Sequence, residues 1–171
     1  YGENVPPVGG QTVFADCVHA YRLLPDSLKE AVENMIGVHS ARRAYGIRGL
    51  FSKDDSTRSM RIKTSVEAES VVYHPVVRSV NAPGGKALFI NPVYTLGVEG
   101  LHKKESDSTL EKLYRFLIER SQKLVIKWKR GTLVMWDNRC VIHHAMGGYE
   151  GYDRLMFRVT IGEERPVKLN G

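Results

Sequence analysis

Apolar residues recur at helical spacing in two places. After Pro25, the residues Leu28, Ala31, Val32, Met35 and Ile36 share one face, and Gly37 marks a stop. Ser27 with Glu30 three residues on has the spacing of a capping box. A second helix is predicted over 109–122, with Leu110, Leu113, Leu117 and Ile118 on one stripe, and Ser108 with Glu111 repeats the cap spacing. Elsewhere the pattern is of short strands rich in β-branched and aromatic residues, at 71–73, 86–90, 124–128, 133–136 and 155–161. Pro83-Gly84-Gly85 and Lys129-Arg130-Gly131 read as turns between pairs of them. Many strands and few helices predict a mainly β domain, a sandwich or barrel with helical decoration.

Composition narrows this picture. A length of 171 residues predicts one domain, 1–171, large enough to hold a core without disulfide or metal. The two cysteines, Cys17 and Cys140, make no disulfide framework and no cysteine-rich zinc module, and they fit a reducing cytoplasm. No apolar run is long enough for a membrane span. The first ten residues have neither a basic start nor an apolar stretch, so no signal peptide is expected.

The net charge of +6 is unevenly spread. Arg42, Arg43, Arg48, Lys53, Arg58, Arg61 and Lys63 stand within 41–65 against only Asp54 and Asp55, a local surplus of +5. That stretch has no sustained periodicity and reads as a basic loop or lid. A surplus confined to one loop, without interleaved aromatic residues, argues for small anions and against nucleic acid.

Candidate chemistry lies in the last third. Over 154–162, Leu155, Phe157, Val159 and Ile161 alternate with Arg154, Met156, Arg158 and Thr160, so both arginines share a face about 13 Å apart. Such a face belongs either to the solvent side of an edge strand or to a barrel interior that presents guanidinium forks to an anion. His143 and His144 are adjacent, so at most one faces such an interior. His19, His39, His74 and His102 have no partner at metal-ligand spacing.

Three ordered motifs resemble the taurine-dioxygenase-like (TauD/TfdA) family of iron(II)- and 2-oxoglutarate-dependent oxygenases. They are the stretch from Val5 to Asp16 with Gly9-Gly10-Gln11-Thr12, the stretch His74-Pro75-Val76-Val77-Arg78 followed by Lys86 to Asn91, and Trp136-Asp137-Asn138-Arg139 with His143, Arg154 and Arg158. The resemblance implies a double-stranded β-helix, or jelly roll. It implies that His143 is the distal histidine ligand of iron(II), with His144 the weaker candidate. Arg154 and Thr12 would bind 2-oxoglutarate, and Arg158 the anionic end of the primary substrate, a carboxylate, sulfonate or sulfate. The implied reaction oxidises that substrate with O2, hydroxylation being the default, and releases succinate and CO2. His74 and Arg78 read as structural, and a homo-oligomer stays open.

The family's H-x-D/E motif, which supplies the other two iron ligands upstream of the threonine, occurs nowhere in the 171 residues. The chain is therefore expected to be incomplete at its N-terminal side. The alternative is a catalytically inactive homologue that keeps the scaffold as an anion- or partner-binding module.

Overall fold

The computed structural model describes residues 1–53, 62–80 and 85–162. The chain opens with β1 (Gly2–Asn4) and β2 (Thr12–Asp16), then α1 (Cys17–Arg22) and α2 (Asp26–Val32). β3 (Ile36–His39), the one-turn α3 (Arg42–Tyr45) and a 3-10 turn (Glu67–Glu69) follow. Next come β4 (Val72–Pro75), β5 (Val77–Ser79), β6 (Lys86–Leu88) and β7 (Thr95–Val98). α4 (Lys103–Tyr114) runs into a π-helical turn (Arg115–Arg120), and β8 (Lys123–Ile126), β9 (Val141–Ala145) and β10 (Leu155–Met156) complete the order.

Four small antiparallel sheets result: β8-β2-β9, β4-β3-β7, β1-β10 and β5-β6. Among the described residues they do not close into a barrel, and helices hold about as many residues as strands. The arrangement is mixed α/β, with more helix than the decoration expected on a mainly β jelly roll. The ladders are too short to wrap a barrel. β10 pairs only with β1 and gains one further rung, where Tyr1 and Phe157 exchange backbone bonds.

α1 starts where it does because the Asp16 carboxylate accepts the backbone N–H groups of Val18 and His19 at 2.8 and 2.9 Å, satisfying two donors of the first turn. The helix then presses Cys17, Ala20 and Tyr21 against Val77, Ala87 and Leu88 of the β5-β6 hairpin and against Leu110, Leu113 and Leu117. Leu113 and Leu117 are wholly buried, so truncating either to alanine should cost about 2–5 kcal/mol. This core fixes the C-terminal end of β2, whose N-terminal end carries the site.

Several expected elements shift. The helix after Pro25 ends at Val32 and is capped by Pro25, with no capping box. Ile36 and Gly37 belong to β3 instead. The His39 ring lies over Gly37 so closely that a side chain there would meet its Nε2, which makes Gly37 a strand glycine that admits a ring. α4 begins at Lys103, six residues before the predicted start. Its buried stripe opens with Ser106, whose hydroxyl accepts the Val98 N–H at 2.8 Å, and only then continues through Leu110 and Leu113. Ser108 is therefore inside the helix and caps nothing. Residues 133–136 form no strand, and Met135 is 87% exposed. Beyond Phe157 the predicted strand has no strand partner among the described residues, and Val159 and Ile161 are 84% and 93% exposed.

The basic stretch is partly folded. Arg42 and Arg43 sit on α3, and Arg43 donates to the carbonyls of Thr95 and Leu96 at 3.1 and 3.0 Å, so its charge clamps β7. Residues 54–61, with Arg58 and Arg61, lie outside the described residues, as do Pro83 and Gly84 of the expected turn.

β3 carries a buried imidazole. His39 packs among His74 and Phe89, its Nδ1 meets the Thr95 hydroxyl at 3.3 Å, and its Nε2 is buried without a partner. Burial, with repulsion from His74, lowers its pKa from 6.5 to about 4. The unfolded chain therefore takes up this proton first as pH falls. The stability His39 contributes is whole above 6.5 and is lost between 6.5 and about 4, roughly 3 kcal/mol in all. Denaturant unfolding of His39→Gln at pH 7 and pH 4 should show a smaller loss on acidification than the parent protein. An equal loss would contradict the assignment.

Candidate active site

The sheet β8-β2-β9 holds two of the expected residues, Thr12 and His143. Thr12 opens β2 opposite Ile126 of β8 and Ala145 of β9, while Phe14 stands opposite His143. Thr12, Phe14, His143 and Ala145 consequently share one face, and His144, opposite Val13, takes the other. The Trp136 ring lies edge-on to both Phe14 and His143, with centroids 5.2 and 5.0 Å away. These rings desolvate the imidazole and hold its pKa below the ordinary value, with repulsion from Arg158 and then His144 adding to the effect. The neutral imidazole, the form that ligates a metal, is favoured.

The arginines flank β10, Arg154 before it and Arg158 after it. Arg154 donates through Nη2 to the Gly10 carbonyl at 3.4 Å, and its guanidinium lies 5.6 Å from the centre of the Tyr149 ring. Its Nε–H is buried without an acceptor. Arg158 is exposed, close enough to His143 and Tyr94 for its charge to bear on both. Tyr94 stacks on Tyr45 at 6.3 Å. Burial first, and then a hydrogen bond with Tyr45, push its phenol up to about 12, so it stays protonated.

A crossing of two glycine pairs makes this approach possible. Gly9 and Gly10 have φ of +69° and +66°, Gly148 has +82°, and the Gly10 N–H donates to the Gly147 carbonyl at 3.0 Å. A Cβ on Gly9 would overlap the Gly148 carbonyl, and one on Gly10 would stand 3.2 Å from Arg154 Nε. A side chain at Gly9 would push these backbones apart, whereas one at Gly147 or Gly148 would meet only ordinary contacts.

Sequence reasoning named Thr12, His143, Arg154 and Arg158 without their supports. Trp128 donates its indole N–H to the Thr12 hydroxyl at 2.9 Å, a contact across 116 positions that only the strand register shows. Tyr45 and Tyr94 carried no motif. The consecutive glycines before Thr12 were the one signal open to reading. Arg154 lines a cleft of about 330 Å3 with Tyr149, Tyr152 and Asp153. A second cleft of about 360 Å3, beside Arg42, Arg48 and Glu69, contains none of these residues.

The donor set fits one implied group and not the other. A buried guanidinium N–H without an acceptor, reaching Gly10 two residues before the Thr12 hydroxyl, suits a carboxylate such as that of 2-oxoglutarate. For iron the fit is incomplete. Among the described residues no three His, Cys, Asp or Glu side chains are grouped to hold a metal ion, so these residues alone do not make up a metal site around His143.

Fold and site define a mixed α/β arrangement of short antiparallel sheets, with Thr12 and His143 on one sheet face and Arg154 and Arg158 flanking the strand β10. The chain belongs to the taurine catabolism dioxygenase TauD, TfdA family, whose pattern matches residues 1–160. It is 32% identical over 166 residues to an alpha-ketoglutarate-dependent sulfonate dioxygenase of Saccharomyces cerevisiae, covering 95% of this chain and 38% of that protein. It is 36% identical over 139 residues to an alpha-ketoglutarate-dependent 2,4-dichlorophenoxyacetate dioxygenase of Cupriavidus pinatubonensis, covering 81% and 45%. It superposes on the crystal structure of AAD-2 in complex with Mn(II) and N-oxalylglycine with a TM-score of 0.79 at 28% identity, covering 97% of this chain and 63% of that one. The chain thus spans about half or less of the length of the curated relatives it matches. No helix among the described residues is long and apolar enough to cross a membrane.

Gly9→Ala tests the crossing against Gly100→Ala, where φ is +77° and nothing lies within 4 Å. The Gly100 change should cost about 1–2 kcal/mol for the left-handed backbone alone. The Gly9 change should cost at least about 2 kcal/mol more in denaturant unfolding, through the overlap. Equal losses would show that the crossing does not hold the two segments.

Proposed function

We propose that this chain forms part of an iron(II)- and 2-oxoglutarate-dependent dioxygenase that hydroxylates a small anionic substrate and releases succinate and CO2. The observation that carries the reading is the buried, unpaired Nε–H of Arg154, set against Gly10 two residues before Thr12. In this reading the four sheets are pieces of a double-stranded β-helix. The relatives named for sulfonate and aryloxyacetate oxidation, and the superposition on a structure holding Mn(II) and N-oxalylglycine, support it.

Each residue then has a physical task. Arg154 is permanently charged and fork-shaped, and it neutralises the distal carboxylate of 2-oxoglutarate while fixing its direction. Thr12 adds a short, stiff hydroxyl donor. His143 supplies one neutral imidazole as a ligand to iron(II), which contributes the oxygen chemistry when bound. Arg158 pairs with the anionic end of the primary substrate, and Tyr45 and Tyr94 give that subsite an apolar wall and a protonated phenol. Phe14 and Trp136 exclude water from the inner side of His143.

The single metal ligand also suits a second reading, in which the cradle binds an anion without catalysis. Succinate formation by the protein at its natural length, supplied with iron(II), O2 and 2-oxoglutarate, separates the two. Arg154→Ala should raise the apparent KM for 2-oxoglutarate about tenfold to a hundredfold, the range for a lost charged hydrogen bond, with a smaller change in kcat. An unchanged KM would remove Arg154 from the site.

A further inference from the structure

We propose that Trp128 is a positioning residue, whose indole N–H commits the Thr12 hydroxyl to donate its proton toward the distal carboxylate of 2-oxoglutarate. The inference rests on the reading of Thr12 and Arg154 as the carboxylate cradle.

A threonine hydroxyl has one proton to give and two lone pairs to receive with, whereas an indole N–H can only donate. The 2.9 Å contact between Trp128 Nε1 and Thr12 Oγ1 therefore has one sense: tryptophan donates and threonine accepts. Thr12 is 6% exposed, so bulk water does not supply its remaining partner. Among the described residues no group accepts its proton. That proton is left for a ligand, and an ionised carboxylate, which only accepts, is the complementary group. The Arg154 Nε–H is likewise a buried donor without an acceptor. Two donors without a protein acceptor at one end of β2 define an anion site more sharply than either alone.

The register explains why Trp128 can do this. Thr12 pairs with Ile126, and Trp128 lies two residues further along, so its side chain falls on the same face of the sheet as Ile126. The Trp128 ring packs next to Gly2 at the start of β1, and Gly2 is bonded through its backbone to Gly131 and Thr132. The turn after β8 is thereby tied to β1, and the indole is held in place.

Titration calorimetry on the protein at its natural length, loaded with Mn(II), provides the test. Two ligands are compared: 2-oxoglutarate, and 2-oxobutyrate, which lacks the distal carboxylate. Trp128→Phe keeps a ring and deletes the donor. It should weaken 2-oxoglutarate about fivefold to tenfold, the worth of one hydrogen bond, and leave 2-oxobutyrate unchanged. In a Thr12→Val background the same change should have no further effect on 2-oxoglutarate. Equal weakening of both ligands, unchanged 2-oxoglutarate affinity, or full additivity with Thr12→Val would each overturn the proposal.

Arg154→Leu distinguishes its failure from failure of the underlying reading. If that variant leaves 2-oxoglutarate affinity intact, the cradle itself is misassigned. If it weakens binding while Trp128→Phe does not, only the role of Trp128 falls. A measurement on the unmodified protein removes any dependence on the variant folding. The Trp128 indole N–H resonance should move when 2-oxoglutarate is added and stay in place with 2-oxobutyrate, and a resonance indifferent to 2-oxoglutarate would contradict the proposal.

Discussion

A guanidinium drawn out of water must find acceptors for its N–H groups or carry a desolvation cost, and Arg154 leaves one of them unmet. Its Nη2 reaches the Gly10 carbonyl and its face lies over Tyr149, but its Nε–H is buried with nothing to accept it. The chain accepts that cost because Gly9-Gly10 and Gly147-Gly148 cross without side chains, which brings β2 within reach of the segment leading into β10. The rest of the arrangement follows from that crossing. It sets where β2 begins, which places Thr12, and the β2-β9 register then places His143. An anion in the cleft would relieve the unmet donor, so the same feature that costs stability in the fold gives affinity in the site.

Electrostatics sort the remaining cations. The basic stretch that dominates the net charge is not a uniform patch. Arg43 is spent on two backbone carbonyls of β7, and Arg42 and Arg48 face a separate cleft with Glu69. Arg158 keeps an exposed guanidinium beside His143 and Tyr94. Two arginines, one with a buried Nε–H against Gly10 and one exposed near His143, suit two different anions, a dicarboxylate held deep and a substrate held near the surface. This is the division of labour proposed above.

The sequence made the chemistry more legible than the fold. Thr12, His143, Arg154 and Arg158 could be named as candidates because resemblance to a family marks single positions; Thr12 and His143 share a sheet face, Arg154 reaches Gly10, and Arg158 lies near His143. Element boundaries failed where a tertiary contact overrode local pattern. Gly37 looked like a helix stop, but it is the strand position over which His39 packs. The first turns of α4 look polar because the stripe begins with a buried serine bonded to Val98. The alternation at 155–161 promised a full strand, yet only Leu155–Met156 find a partner strand among the described residues. Trp128 was invisible for a similar reason: it acts on Thr12, across 116 positions, and no local spacing encodes such a contact.

The most direct test of the central claim is a crystal structure of the protein at its natural length with Mn(II) and N-oxalylglycine. The account predicts that the ligand's distal carboxylate lies within hydrogen-bonding distance of both the Arg154 guanidinium and the Thr12 hydroxyl, with Trp128 still bonded to Thr12 and His143 on the metal. A carboxylate bound elsewhere, with Arg154 Nε still unpartnered, would contradict it.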